Sequence, residues 1–95
     1  MHQNEKINNI RDLFQTMGGL ETKSLLNFLQ DILSVEEIKD LALRWQVIKA
    51  LDSDELQRKI SENLGCSMTI VARGSRQLKY GHGGFKAALK KLRKI

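Results

Sequence analysis

The chain contains no proline in 95 residues, so nothing forces a kink and an all-helical course is open to it. A single cysteine, Cys66, excludes a disulfide framework within the chain and fits a reducing compartment. With only His2, His82 and Cys66 as soft ligands, widely spread, no metal site is expected. No apolar run approaches the ~18 residues of a membrane helix, and no signal-peptide pattern follows Met1. No membrane partner and a cytoplasmic location are therefore expected. No nucleophile–base pair or carboxylate dyad stands at a spacing suited to chemistry, so an enzyme is not expected.

Acid is missing from one end. Residues 66–95 carry eight Lys or Arg and no Asp or Glu, whereas residues 1–65 carry eight Lys or Arg against eleven acids. The first part is therefore net −3 and the second net +8, within an overall charge of +5. Solvated surfaces usually intersperse both signs, and a block of one sign attracts polyanions such as nucleic acid. The plainer alternative is a basic tail that aids solubility.

What is present is helical periodicity, enough for one small domain over residues 1–95. Glu5 to about Met17 carries Ile7, Ile10, Leu13, Phe14 and Met17 at three- and four-residue spacing, and Gly18-Gly19 ends that helix. About Glu21 to Leu33 has an unusually wide apolar face. Ser34 with Glu37 forms a capping box, which starts a third helix running to about Leu51. These wide stripes exceed what so small a monomer covers comfortably, so a homodimer sharing one core is expected. Asp52-Ser53-Asp54 reads as a turn with its own cap before a fourth helix, Glu55 to Leu64, with Leu56, Ile60 and Leu64 inward.

Gly65-Cys66-Ser67 is a short turn whose glycine suits a helix C-terminus and whose serine suits the next N-cap. A fifth helix follows from Met68 to about Leu78. Helix, three-residue turn, helix is the helix-turn-helix pattern, over about residues 55–78, with its second helix meant for the major groove. The basic block begins where that second helix begins. After the Gly81-His82-Gly83-Gly84 loop, a last helix from about Phe85 to Ile95 has one apolar stripe, Phe85, Ala88, Leu89 and Leu92.

"ILSVEEIKDLALRWQVIKAL" followed by "QRKISENLGCSMTIVARGSRQLK" resembles the Trp repressor family, and "LKYGHGGFKAAL" is similar to its YerC/YecD-like branch. The likeness covers roughly residues 20–95, and the paired segments "LALRW" and "ARGS" make it fairly specific. It implies an intertwined all-α homodimer of about six helices that binds double-stranded operator DNA and represses tryptophan-related operons. It also implies L-tryptophan as corepressor. By the same resemblance Arg44 and Arg73 sandwich the indole, and Arg73 reaches the carboxylate. Ser34 stands where the family has a threonine hydroxyl near the ligand. The carbonyls of Asp31 and Leu33 receive the ammonium, and Gly74 forms the pocket floor, where a Cβ would meet the ring. Gln77 departs from the family, which has a small residue there.

Each assignment keeps an ordinary alternative. Arg44 can pair with Asp40 across one helical turn, Arg73 can be a phosphate contact, and Gly74 can merely permit close helix packing. The resemblance extends to DNA through Gln57 and Arg58 at the start of the first motif helix. Met68, Thr69, Ile70 and Ala72 then sit at the front of the recognition helix, with Ile70 or Ala72 suited to a thymine methyl. Arg76 and Lys79 are phosphate contacts. The competing functions are a ligand-independent regulator of the YerC/YecD type, or a basic DNA-binding dimer without operator specificity.

Overall fold

The computed structural model describes residues 3–93. It contains six helices and, among the described residues, no strand: α1 (Gln3–Gly18), α2 (Thr22–Ile32), α3 (Val35–Asp52), α4 (Gln57–Leu64), α5 (Met68–Tyr80) and α6 (Gly84–Arg93). They divide into two compact units, one up to Ile38 and the other from Lys39 onward. Of the last helix's expected span, Ile95 lies outside the described residues, as does His2.

In the first unit, Gly18-Gly19 ends α1 and the capping box starts α3 as the sequence predicts. Ser34 N–H donates to Glu37 Oε1 at 2.8 Å, and Glu37 N–H donates to Ser34 Oγ at 3.1 Å. The backbone N–H of Ser34, and secondarily its hydroxyl, holds the Glu37 carboxyl below the ordinary glutamate value. A lowered value means the contact favours folding at neutral pH and loses that contribution as pH falls through it. Ser34→Ala removes the hydroxyl and keeps the backbone N–H, so it is expected to raise the Glu37 titration midpoint only part of the way to the ordinary value, read by carboxyl NMR; a full return to the ordinary value would refute the leading role of the backbone N–H.

The second unit holds the core. Val47 of α3, Ile60 of α4 and Val71 of α5 are at most 1% exposed and touch one another, with Leu43, Leu51, Leu64, Cys66 and Ile70 packed around them. Fully burying each such aliphatic side chain is worth about 1.5–3 kcal/mol, and three helices meeting at one point fix their mutual geometry. Leu89 of α6 is also buried. α4 packs on α5, and α5 on α6.

Three residues join α4 to α5. Gly65 closes α4 in the left-handed region (φ 64°), which favours glycine. Ser61 Oγ donates to the Cys66 carbonyl at 2.5 Å, pinning the turn, and Ser67 Oγ accepts from Ile70 N–H at 3.2 Å, capping α5. Ser67→Ala is expected to cost ~1 kcal/mol, a fall of roughly 4–8 °C in Tm by calorimetry. A fall under about 1 °C would deny the cap that role.

The structure corrects the start of α4. It begins at Gln57 rather than Glu55, because α3 runs on to Asp52 and Ser53 caps back onto it, its hydroxyl donating to the Lys49 carbonyl. Asp54 takes a positive φ of 60° in the turn that follows. Leu56 is then the residue before the helix and is 77% exposed, not inward.

Candidate functional site

Helix α5 has two working faces because its residues repeat every 3.6 positions. Ile70, Arg73, Gly74 and Gln77 line a cleft of about 360 Å³ whose other lining comes from Asp40, Arg44 and Val47 of α3 and Phe85 of α6. Two of the predicted ligand residues, Arg44 and Arg73, are thus brought together with Gly74 in one cleft of the second unit. Phe85 stacks on Trp45, ring centroids 6.3 Å apart and planes 28° from parallel, so an aromatic pair stands beside the two cations.

The glycine has a neighbour of its own. A Cβ built on Gly74 falls 3.0 Å from Val47 Cγ1, and 3.5 Å from Ile48 Cδ1 and Leu51 Cδ1. A side chain there would crowd α3 by a few tenths of an ångström, so the close approach of α5 to α3 is one reason for the glycine. That same approach carries Arg44 and Arg73 into one cleft, since both side chains leave helices held together at this point. Arg44 also makes the ordinary contact open to it: its Nη2 lies 2.9 Å from Asp40 Oδ2, with both side chains about half exposed.

Asp31, Leu33 and Ser34 belong to the first unit. Asp31 is exposed in the last turn of α2, and Leu33 is its C-cap, with its N–H donating to the Leu29 carbonyl. A helix C-terminus carries partial negative charge, which suits a cation. The Ser34 hydroxyl is already engaged in the α3 capping box.

On the other face of α5, Thr69, Ala72, Arg76 and Lys79 recur at three- and four-residue spacing. Thr69, Arg76 and Lys79 are exposed and Ala72 is half-buried. Met68 is exposed at the helix start, and on α4 Arg58 is exposed and Gln57 half-buried. Ile70 differs from its companions: it packs on the core and lines the cleft. Ala72 is thus the apolar candidate on the exposed face.

Sequence reasoning finds Asp40 only as an ion-pair partner and does not place Phe85 or Val47 at the cleft. Their signal is readable in part, as residues 40, 44 and 47 fall on one side of α3 by spacing alone. Phe85, from a separate helix, gives no such signal. Among the described residues no group of three or more His, Cys, Asp or Glu is placed to hold a metal ion. Among them, too, no helix is long and apolar enough to cross a membrane.

The model of the Trp repressor protein family matches residues 5–93, essentially the whole described chain. The chain belongs to the Trp repressor family. It is thereby placed among DNA-binding transcription regulators, and its α4–turn–α5 segment has the helix, three-residue turn, helix arrangement. It is 45% identical over 69 residues to the Trp operon repressor homolog of Chlamydia trachomatis, covering 67% of this chain and 73% of that one. It is 30% identical over 82 residues to the uncharacterized protein YerC of Bacillus subtilis, covering 85% and 79%. Among solved structures it is similar to a TrpR-like protein from Eubacterium eligens, with TM-score 0.85, 26% identity, and 99% and 98% of the two chains covered.

Proposed function

We propose that this Trp repressor family member is a homodimeric operator-binding repressor whose corepressor is L-tryptophan. The observation that carries the ligand is the cleft lined by Arg44 of α3 and by Arg73 and Gly74 of α5. A guanidinium offers a flat face to an indole and a fork of donors to a carboxylate. Arg73 takes the carboxylate as well as one face of the ring, and Arg44 takes the other face. By the family resemblance alone, the ammonium goes to the carbonyls at the positions of Asp31 and Leu33, and Ser34 holds the position of the family's hydroxyl. Because the cleft lies along the recognition helix, an occupant sets how α5 is held. In a dimer this fixes the spacing of two recognition helices, which must match successive major grooves ~34 Å apart.

Support for the dimer is apolar surface that one chain leaves uncovered. Ile10 and Phe14 of α1 are 54% and 61% exposed, and Leu26 and Ile32 of α2 are 53% and 54% exposed. In the DNA-bound form, Gln57 and Arg58 meet the backbone near the motif's start. Met68, Thr69 and Ala72 present the front of α5 to base edges, Ile70 stays on the core side, and Arg76 and Lys79 meet phosphates.

Calorimetric titration with L-tryptophan tests the ligand. Wild type is expected to release or absorb heat saturably below about 1 mM, and Arg73→Ala to weaken binding tenfold or more, about 1.4 kcal/mol. No heat at millimolar tryptophan would remove the corepressor and leave a ligand-independent regulator. The similarity to YerC over 85% of the chain is consistent with that second reading as well.

A further inference from the structure

Tyr80 closes α5 and is 83% exposed, more than any other large apolar or aromatic side chain among the described residues. None of those residues hydrogen-bonds its phenol or stacks on its ring, and it stands outside the lining of the arginine cleft. The fold therefore gains nothing from burying it. A lone exposed aromatic is ordinary on a surface; here its register along the helix decides. Tyr80 follows Arg76 by four residues, Ala72 by eight and Thr69 by eleven, so one row of α5 carries all four. At 1.5 Å per residue that row is roughly 16 Å long, longer than the ~12 Å width of a major groove. With Thr69 and Ala72 at base edges, the far end of the row meets the wall of the groove, where the phosphates run.

We infer that Tyr80 is a further DNA-positioning residue, its phenol O–H donating to a backbone phosphate at the edge of the groove. This deepens the DNA reading above and rests on it. The end of a helix carries partial negative charge, which by itself repels a phosphate. Lys79 in the last turn and Arg76 one turn earlier supply the cations that make a phosphate welcome there. The phenol adds a directed donor without a charge. It therefore has a signature of its own: a neutral donor releases no counterion, so it strengthens binding without changing how binding depends on salt. The cations beside it change both.

Fluorescence anisotropy on the full chain tests this with two labelled duplexes, one of random sequence and one that the full chain selects from a random library. Tyr80→Phe removes the hydroxyl and keeps the ring. It is expected to weaken both duplexes by about three- to tenfold. Their ratio and the slope of log affinity against log salt are expected to stay as in wild type, with Tm within about 1 °C. Tyr80→Lys is expected to steepen that slope by about 0.9, because an ammonium at the same wall does release a counterion. Wild-type affinity in Tyr80→Phe, a loss confined to the selected duplex, or an unchanged slope in Tyr80→Lys would each overturn the inference. If Tyr80→Phe changes nothing while Lys79→Ala flattens the slope, the DNA reading stands and the role of the hydroxyl is lost. If wild type binds neither duplex, the DNA reading itself fails and this inference falls with it.

Discussion

Gly74→Val is expected to lower stability by about 2 kcal/mol, within the ~1–3 kcal/mol range of overpacked cores, and with it Tm by roughly 8–16 °C. The first new carbon already lies 3.0 Å from Val47 Cγ1, and Val47 is 1% exposed and packed in the core. The two further methyls press on Ile48 and Leu51 or project into the cleft. Gly74→Ala sets the contrast. Alanine regains about 1 kcal/mol of helix propensity over glycine, which offsets a few tenths of an ångström of strain against Val47. Its Tm is expected within about 4 °C of wild type. Calorimetry on the three proteins checks the pair of results, and a valine variant as stable as the alanine variant would mean that α3 and α5 do not meet as described.

The second large effect concerns DNA. Arg76 and Lys79 are exposed on the face of α5 away from the cleft, in a stretch without acid to neutralise them. Removing one cation from a phosphate lowers the slope of log affinity against log salt by about 0.9. Arg76→Ala with Lys79→Ala is therefore expected to reduce that slope by nearly 2 and to weaken duplex binding by more than about tenfold at low salt. Operator preference is expected to survive, because phosphate contacts position without reading sequence. Fluorescence-anisotropy titrations over a salt series measure it. An unchanged slope would move the DNA surface elsewhere.

Much of this fold is legible in the sequence, and the reasons differ by residue. Ser34 with Glu37, and Gly65 followed by Ser67, announce helix ends because capping is local chemistry, decided within four residues. The start of α4 is not legible in that way. Asp52, Ser53, Asp54 and Glu55 all suit a boundary, and only the continuation of α3 to Asp52, with Ser53 bonded back to Lys49, decides which residue ends what. Leu56 falls on the inward stripe by periodicity, yet it precedes the helix, and a period has no meaning outside one.

The site divides along the same line. Arg44, Arg73 and Gly74 are found by spacing and resemblance, and the structure gathers them at one cleft. The purpose of the glycine is beyond sequence. A missing Cβ looks the same whether a ligand or a neighbouring helix needs the space, and the distance to Val47 shows only that the neighbouring helix comes close there. Asp40 is visible as an i, i+4 partner of Arg44. Its place in the cleft depends on α5 and α6 arriving beside α3, a long-range fact that no local pattern carries.

The most direct measurement of DNA-binding regulation is selection of duplexes from a random library by the full chain, then competition binding of the enriched site against random duplex at about 0.15 M salt. A two-fold symmetric site preferred at least about a hundredfold over random DNA is the expected result, since specific protein–DNA complexes exceed non-specific ones by about 10³–10⁷. Retention of random and selected duplexes with equal affinity would contradict it, and would leave a basic dimer that binds DNA without reading it.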